Sequence, residues 1–212
     1  MKKHLLTAAA VLLSLHGFSQ TKGTSAVSLG ISSYIHEYKD SNLPSDQINK
    51  STSLGTRLGY GLFVADNSKV GIELIYNQFK QNYNGTMSYN KTKGYGAAIN
   101  YQRYFPLVKT FYAFAGGGAQ YVRSKSDNNS DNSSNNFDNT NTYTIGASGG
   151  LAWFISKRWA LETHLLSTGF YYTENEYGNV SDNRRYSTKQ TNFSLSSDGI
   201  FNNLGFKVYL MF

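Results

Sequence analysis

Cysteine is absent from all 212 residues, which excludes disulfides and thiolate metal sites outright. Proline occurs only twice, against 20 glycines and an aromatic share of 15%, a composition that favours strands over helices. Past the N-terminus no run of roughly 18 apolar side chains follows, so no later helix is long enough to cross a bilayer. Carboxylates are scarce too: 13 Asp and Glu face 20 Lys and Arg, a formal net charge of +7. The positive charges are dispersed, which argues against nucleic acid as a partner, since that needs clustered Lys and Arg. They read first as a solvated surface, and more specifically as basic feet of surface loops that meet the phosphates of lipid headgroups. A negative mean hydropathy does not exclude a membrane barrel, because only alternate residues of each strand face lipid.

What is present begins with Met1-Lys2-Lys3-His4, an apolar run from Leu5 to Leu15, and Gly17-Phe18-Ser19-Gln20. A basic start, a short apolar middle and small residues at Gly17 and Ser19 predict a secretory signal peptide over residues 1–19, cut after Ser19. Residues 20–212 then form one domain.

The dominant pattern in that domain is period-two alternation of apolar residues, the mark of a strand with two unlike faces. Val27, Leu29, Ile31 and Ile35 alternate with Ser28, Gly30, Ser32 and Tyr34. Leu54, Leu58, Tyr60, Leu62 and Val64 oppose Gly55, Arg57, Gly59 and Gly61, and Val70, Ile72, Leu74 and Tyr76 oppose Gly71, Glu73, Ile75 and Asn77. Tyr95, Ala97, Ile99 and Tyr101 oppose Gly96, Ala98, Asn100 and Gln102. Residues 111–123 are small or aromatic on both faces; placing Phe111, Ala113, Ala115 and Tyr121 outward keeps Gln120 from lipid. Tyr143, Ile145, Ala147, Leu151, Trp153 and Ile155 oppose Thr144, Gly146, Ser148 and Gly150. Trp159, Leu161 and Leu165 oppose Glu162 and His164, and Leu204, Phe206, Val208, Leu210 and Phe212 oppose Gly205, Lys207 and Tyr209.

Three connections are short, near 65–69, 106–110 and 156–158, and four are long and polar, over 37–50, 82–92, 124–141 and 173–199. Tight periplasmic turns and longer external loops are what a membrane barrel needs. Aromatics gather at both ends, with Tyr60, Phe63, Tyr104, Phe105, Phe111, Tyr112, Trp153, Phe154, Trp159 and Phe212 near the short turns. Tyr34, Tyr83, Tyr95, Tyr121, Tyr143, Tyr171 and Tyr172 stand near the long loops. Two such bands are expected of interfacial girdles. An open sheet would leave backbone groups unpaired in lipid, so closure is required. The expected fold is an all-β, transmembrane, antiparallel up-and-down barrel of about eight strands.

The chain ends Leu204-Gly205-Phe206-Lys207-Val208-Tyr209-Leu210-Met211-Phe212, alternating apolar residues closed by an aromatic. This segment resembles the C-terminal assembly signal of bacterial outer-membrane proteins, carried here by Phe206, Val208, Leu210 and Phe212. With the leader and the strand rhythm, residues 21–212 resemble the small outer-membrane barrels of the OmpA/OmpX type, the "outer membrane protein beta-barrel domain" group. The resemblance implies a bacterial outer-membrane location with the long loops outside. It also implies outer-membrane lipids and the barrel-insertion machinery as partners. It says little of function, because such barrels host many roles.

Chemistry is sparse. Glu162 and His164 share one face and would suit a His–carboxylate pair orienting a base for a serine such as Ser148 or Ser167. A hydrogen-bonded lumen pair explains them more simply. Asp127, Asn129, Asp131 and Asp138 fall at calcium-loop spacings, but Asn132 replaces the turn glycine and Asp138 the bidentate Glu; Asn/Ser/Asp-rich sequence reads as a solvated loop. Gly116-Gly117-Gly118 lacks the following helix and Lys of a phosphate loop. No cofactor and no metal site is expected.

The inward lists instead predict a polar lumen network of Arg57, Glu73, Glu162, His164 and Lys207, with Arg57 paired to Glu73 and Glu162 to Lys207, since unpaired buried charges are costly; the alternative is that trapped lumen water hydrates each charge without a specific pair. The expected function is that of a non-enzymatic membrane scaffold displaying extracellular loops for adhesion, envelope integrity or partner contact, towards an external ligand the sequence does not name. A lipid-modifying enzyme and a narrow channel are the alternatives.

Overall fold

Two facts dictate the architecture: alternating strands present an apolar face, and a curved sheet with paired edges leaves no backbone group bare. The computed structural model describes residues 21–39, 48–82, 89–129, 136–179, 184–196 and 204–212. The predicted leader, Tyr83 and the central part of the candidate calcium loop lie outside them. Nine strands are found among the described residues: β1 (Ser25–Lys39), β2 (Ile48–Ala65), β3 (Ser68–Asn82), β4 (Tyr89–Val108), β5 (Phe111–Asn129), β6 (Asn136–Phe154), β7 (Trp159–Asn179), β8 (Arg184–Ser196) and β9 (Leu204–Met211).

Each of β1 to β7 pairs antiparallel with the next, and β9 joins β7 to β1. Trp159 is opposite Leu210 on one side of β9, and Ala26 is opposite Met211 on the other. The ring is therefore closed, an up-and-down antiparallel barrel eight strands round. β8 extends the eighth wall position, continuing along β7 from Ser167↔Ser196 to Asn179↔Arg184.

The burial pattern is inverted relative to a water-soluble protein. Val27, Leu29, Leu58, Ile72, Leu74, Ile99, Ile145, Trp153 and Val208 are exposed on the outer wall, while Lys69, Glu73, Gln102, Glu162 and Lys207 are buried inside. A continuous apolar belt of this extent marks a surface that meets something other than water. In the 111–123 segment, Phe111 and Tyr121 are outward and Tyr112 and Phe114 are inside.

Three expectations need correction. First, β1 to β7 are 15 to 21 residues long, whereas a tilted strand crosses hydrocarbon in roughly 9–11. Much of the four polar segments is thus paired strand; Thr173–Asn179, for example, is laddered to β6 and β8. Second, β7 carries a bulge: Gly149 opposes Leu166 and Gly150 opposes His164. Leu165 therefore lines the lumen, and Leu166 takes the outward position. Third, the short-turn aromatic band is split. Phe105, Phe111, Trp153, Trp159 and Phe212 are outside, but Phe63, Tyr104, Tyr112 and Phe154 are buried in the bore.

The two-residue turns Asp66-Asn67 and Lys109-Thr110 both need a left-handed residue, with φ of 58° at Asn67 and 38° at Lys109. Asn tolerates that region; for Lys it costs about 1–2 kcal/mol through the Cβ. Lys109→Gly should therefore stabilise the barrel by about 0.5–1 kcal/mol after the extra unfolded-state entropy of glycine is charged against it. Denaturant titration of the detergent-folded protein measures it, and a destabilised variant would contradict the argument.

Candidate functional site

Parity along each strand decides which side chains enter the bore. Lys69 and Glu73 come from β3, Gln102 and Tyr104 from β4, Glu162 from β7, and Lys207 and Tyr209 from β9. They settle in layers, counted from the short-turn end.

The first layer is apolar: Phe63, Tyr104, Tyr112, Phe114, Phe154 and Met211, with Ala26, Ala152 and Ala160 filling between. Tyr104 is its hub, with ring centroids 5.8 Å from Phe63, 5.6 Å from Phe154 and 6.1 Å from Phe114. Above it stands Glu162, 1% exposed at the side chain. Its Oε1 accepts hydrogen bonds from the Tyr104 hydroxyl and from Lys69 Nζ at 3.4 Å. Its Oε2 accepts from the Tyr209 hydroxyl at 2.7 Å and Gln102 Nε2 at 3.4 Å. Lys69 Nζ also lies 3.7 Å from the centroid of the Tyr209 ring, a cation–π contact.

The third layer is built on Glu73. Its Oε1 accepts from Lys207 Nζ at 2.5 Å and from Asn100 Nδ2 at 3.0 Å, and its Oε2 from Arg57 Nη1 at 3.3 Å. Arg57 Nη2 donates to Gln120 Oε1 at 3.3 Å, and Gln120 Nε2 to Thr144 Oγ1 at 3.4 Å. Beyond this layer is a cavity of about 450 Å³, lined by Arg57, Asn100, Gln120, His164 and the glycine wall of Gly116, Gly118 and Gly146. The glycines are needed for the curvature: a Cβ on Gly118 would meet the Ile99 carbonyl oxygen and sit 3.1 Å from Asn100 Cα.

The structure brings Arg57 to Glu73, but it does not pair Glu162 with Lys207. These two are cross-strand register partners, yet Lys207 reaches Glu73 and Glu162 is taken by Lys69 from across the bore. The bore is narrow enough for facing walls to touch, which register alone does not reveal. His164 lies edge-on to Phe114, centroids 5.1 Å apart, with no hydrogen bond to Glu162 among the described residues. Ser148 and Ser167 face each other across β6 and β7 at the cavity wall. Lys69 is absent from the network predicted from sequence, and Tyr104 is assigned there to the aromatic girdle rather than to the lumen. The signal was there: Lys69 shares the parity of Glu73, and Tyr104 that of Gln102. Among the described residues no group of three or more His, Asp or Glu is placed to hold a metal. Phe206, Val208, Leu210 and Phe212 lie along the outer face of the closing strand.

Residues 30–199 match the family described as "Protein of unknown function (DUF3575)". The chain belongs to that family. Comparison with curated proteins gives no match. Among solved structures, the outer membrane protein OprG from Pseudomonas aeruginosa is 12% identical, with 91% of this chain and 97% of that one covered and a TM-score of 0.55. The translocator domain of the autotransporter NalP from Neisseria meningitidis is also 12% identical, covering 92% of this chain at a TM-score of 0.48. This chain spans 65% of the length of that domain. Neisserial surface protein A (NspA) is 14% identical, covering 90% of this chain and 98% of its own, at a TM-score of 0.44. The likeness to OprG shows the fold, a closed antiparallel β-barrel. The resemblance is supported as far as that barrel fold, and not to the OmpA/OmpX type in particular.

Proposed function

We propose that this DUF3575 chain is a non-enzymatic scaffold of the bacterial outer membrane, with its lumen sealed and its long-strand end displayed outside for adhesion, envelope integrity or partner contact. The observation that carries this reading is the floor of the bore. Glu162, Lys69, Tyr104 and Tyr209 lock facing walls together above a plug of aromatic rings. A solute pathway would have to break buried, charge-assisted hydrogen bonds, so a channel is disfavoured. The lipid-modifying reading is disfavoured because the Glu162 carboxylate is fully engaged with the floor and His164 packs on an aromatic ring. Display is supported by strand length, since β4 to β7 continue well past a hydrocarbon core.

Two measurements test this. In planar bilayers the purified protein should give no stable conductance steps; reproducible steps would overturn the sealed lumen. The native chain has no cysteine, so single cysteines report without background. Glu176→Cys at the long-strand end should react with a membrane-impermeant maleimide on intact cells, and Asp66→Cys in a short turn only after lysis. The reverse pattern would invert the orientation.

A further inference from the structure

The outer wall of β3, β4 and β5 carries a cluster that the sealed-scaffold reading does not use. Going up from the apolar belt, the outward positions reach Tyr76, Tyr95 and Tyr121, and then change character. On β3 they become Gln78 and Lys80, on β4 Lys93 and Lys91, and on β5 Arg123 and Lys125. Register brings these together. Lys80 is directly opposite Lys91, Lys93 is directly opposite Lys125, and Arg123 is opposite Tyr95. Neighbouring strands are ~4.8 Å apart and successive outward positions ~7 Å, so the five cations occupy a small area. Like charges directly opposite each other destabilise a sheet.

Two other described cations at the same end have partners: Lys50 Nζ is 2.9 Å from Glu37 and Lys189 Nζ is 3.3 Å from Glu174. Among the described residues no ion pair is found for Lys80, Lys91, Lys93, Arg123 or Lys125. The carboxylate in register is Asp127, opposite Lys91. Glu174 and Glu176 stand beyond Asn141 and Asn139, two strands from Arg123 and Lys125. The patch therefore keeps a strong positive excess.

Directly below it the outer wall is dished. A depression of about 850 Å³ is lined by Ile72, Leu74, Ala97, Ile99, Ala119 and Ile145. Its low points are Ala97 and Ala119, where neighbouring strands carry larger side chains. Tyr121 and Tyr143 flank it, their ring centroids 5.0 Å apart, and the Tyr121 hydroxyl donates to Asn141 Oδ1 at 2.9 Å. An apolar trough rising through tyrosines into clustered cations matches an amphiphile with an acyl chain below and an anion above.

We propose that this wall is a binding site for a phosphorylated lipid of the leaflet at the long-strand end, its phosphate on Lys80, Lys91, Lys93, Arg123 and Lys125 and one acyl chain in the Ala97–Ala119 trough. Charge-assisted hydrogen bonds from several cations to one phosphate relieve their mutual repulsion. Naming that leaflet as the outer one rests on the proposed orientation.

The test uses full-length protein folded in neutral detergent, titrated with bisphosphorylated lipid A, the same lipid stripped of phosphate, and inorganic phosphate. Lipid A should bind saturably. The triple variant Lys91→Gln, Lys93→Gln, Lys125→Gln should weaken it at least tenfold, and Ala119→Trp, which fills the trough, should weaken it without touching the cations. Folding of each variant is checked by heat-modifiable gel migration. Equal affinity of the triple variant, equal binding of the stripped lipid, or inorganic phosphate matching lipid A would each overturn the lipid site. A detergent titration has no sides, so its failure is separate from a failed orientation, which the cysteine labelling reads. Labelling of Asp66→Cys alone on intact cells would overturn the outer-leaflet assignment.

Discussion

Replacing Glu162 with alanine should destabilise the folded barrel by about 3–5 kcal/mol, the range for breaking a buried ion pair from one side. The carboxylate accepts four hydrogen bonds, from Lys69, Tyr104, Tyr209 and Gln102. Its loss strands the Lys69 ammonium, whose side chain is as buried as its own. Contact with the Tyr209 ring offsets part of this, by about 0.5–2 kcal/mol. The two tyrosine hydroxyls also lose their acceptor, at about 1–3 kcal/mol for each that stays unsatisfied. Glu162→Leu combined with Lys69→Met should recover the charge part of the loss and leave the hydroxyl part, because apolar replacement of a buried pair is often neutral. Urea titration in detergent of the unmutated protein and both variants, followed by tryptophan fluorescence, measures the losses. A loss below ~1 kcal/mol for Glu162→Ala would mean that water solvates the floor and the bore is not sealed.

The extent to which such a floor is legible in a sequence depends on what each side chain faces. Where a strand has lipid on one side and lumen on the other, the faces differ and alternation is plain, as in Val70-Gly71-Ile72-Glu73-Leu74. Past the hydrocarbon both faces meet water and the pattern fades. Residues 184–192 run Arg, Arg, Tyr, Ser, Thr, Lys, Gln, Thr and Asn with little contrast, and only Phe193 and Leu195 alternate after them, which is why β8 is hidden in a long polar segment. Aromatic residues carry the opposite ambiguity. Tyr104 and Phe105 are neighbours, equally suited to a girdle, yet one is buried in the bore and the other exposed on the wall. Parity separates them: Tyr104 follows Asn100 and Gln102 inward. What parity cannot supply is the partner across the bore. Lys69 and Glu162 are 93 positions apart and sit on strands that share no ladder, so neither local spacing nor register predicts their contact.

The Glu73 layer tests the same point through the order of coupling energies. Glu73 binds two cations unequally: Lys207, 8% exposed at the side chain, at 2.5 Å, and Arg57, 41% exposed, at 3.3 Å. Glu73→Ala leaves the buried ammonium without its counter-ion, while Arg57 can turn into the cavity it already lines. The expected loss is again about 3–5 kcal/mol, arising mainly from Lys207. Arg57→Ala should cost no more than about 1 kcal/mol, since a half-exposed pair is screened and its guanidinium keeps little desolvation penalty. In double-mutant cycles the Lys207–Glu73 coupling should exceed the Arg57–Glu73 coupling, and each double variant should lose less than the sum of its singles. Asn100 Nδ2 still needs an acceptor once Glu73 is gone, so pairing Glu73→Gln with Lys207→Met should be milder than pairing Glu73→Ala with Lys207→Ala. Equal couplings, or additive losses throughout, would show that lumen water rather than direct contact neutralises this layer, and that only the Glu162 floor below it closes the barrel.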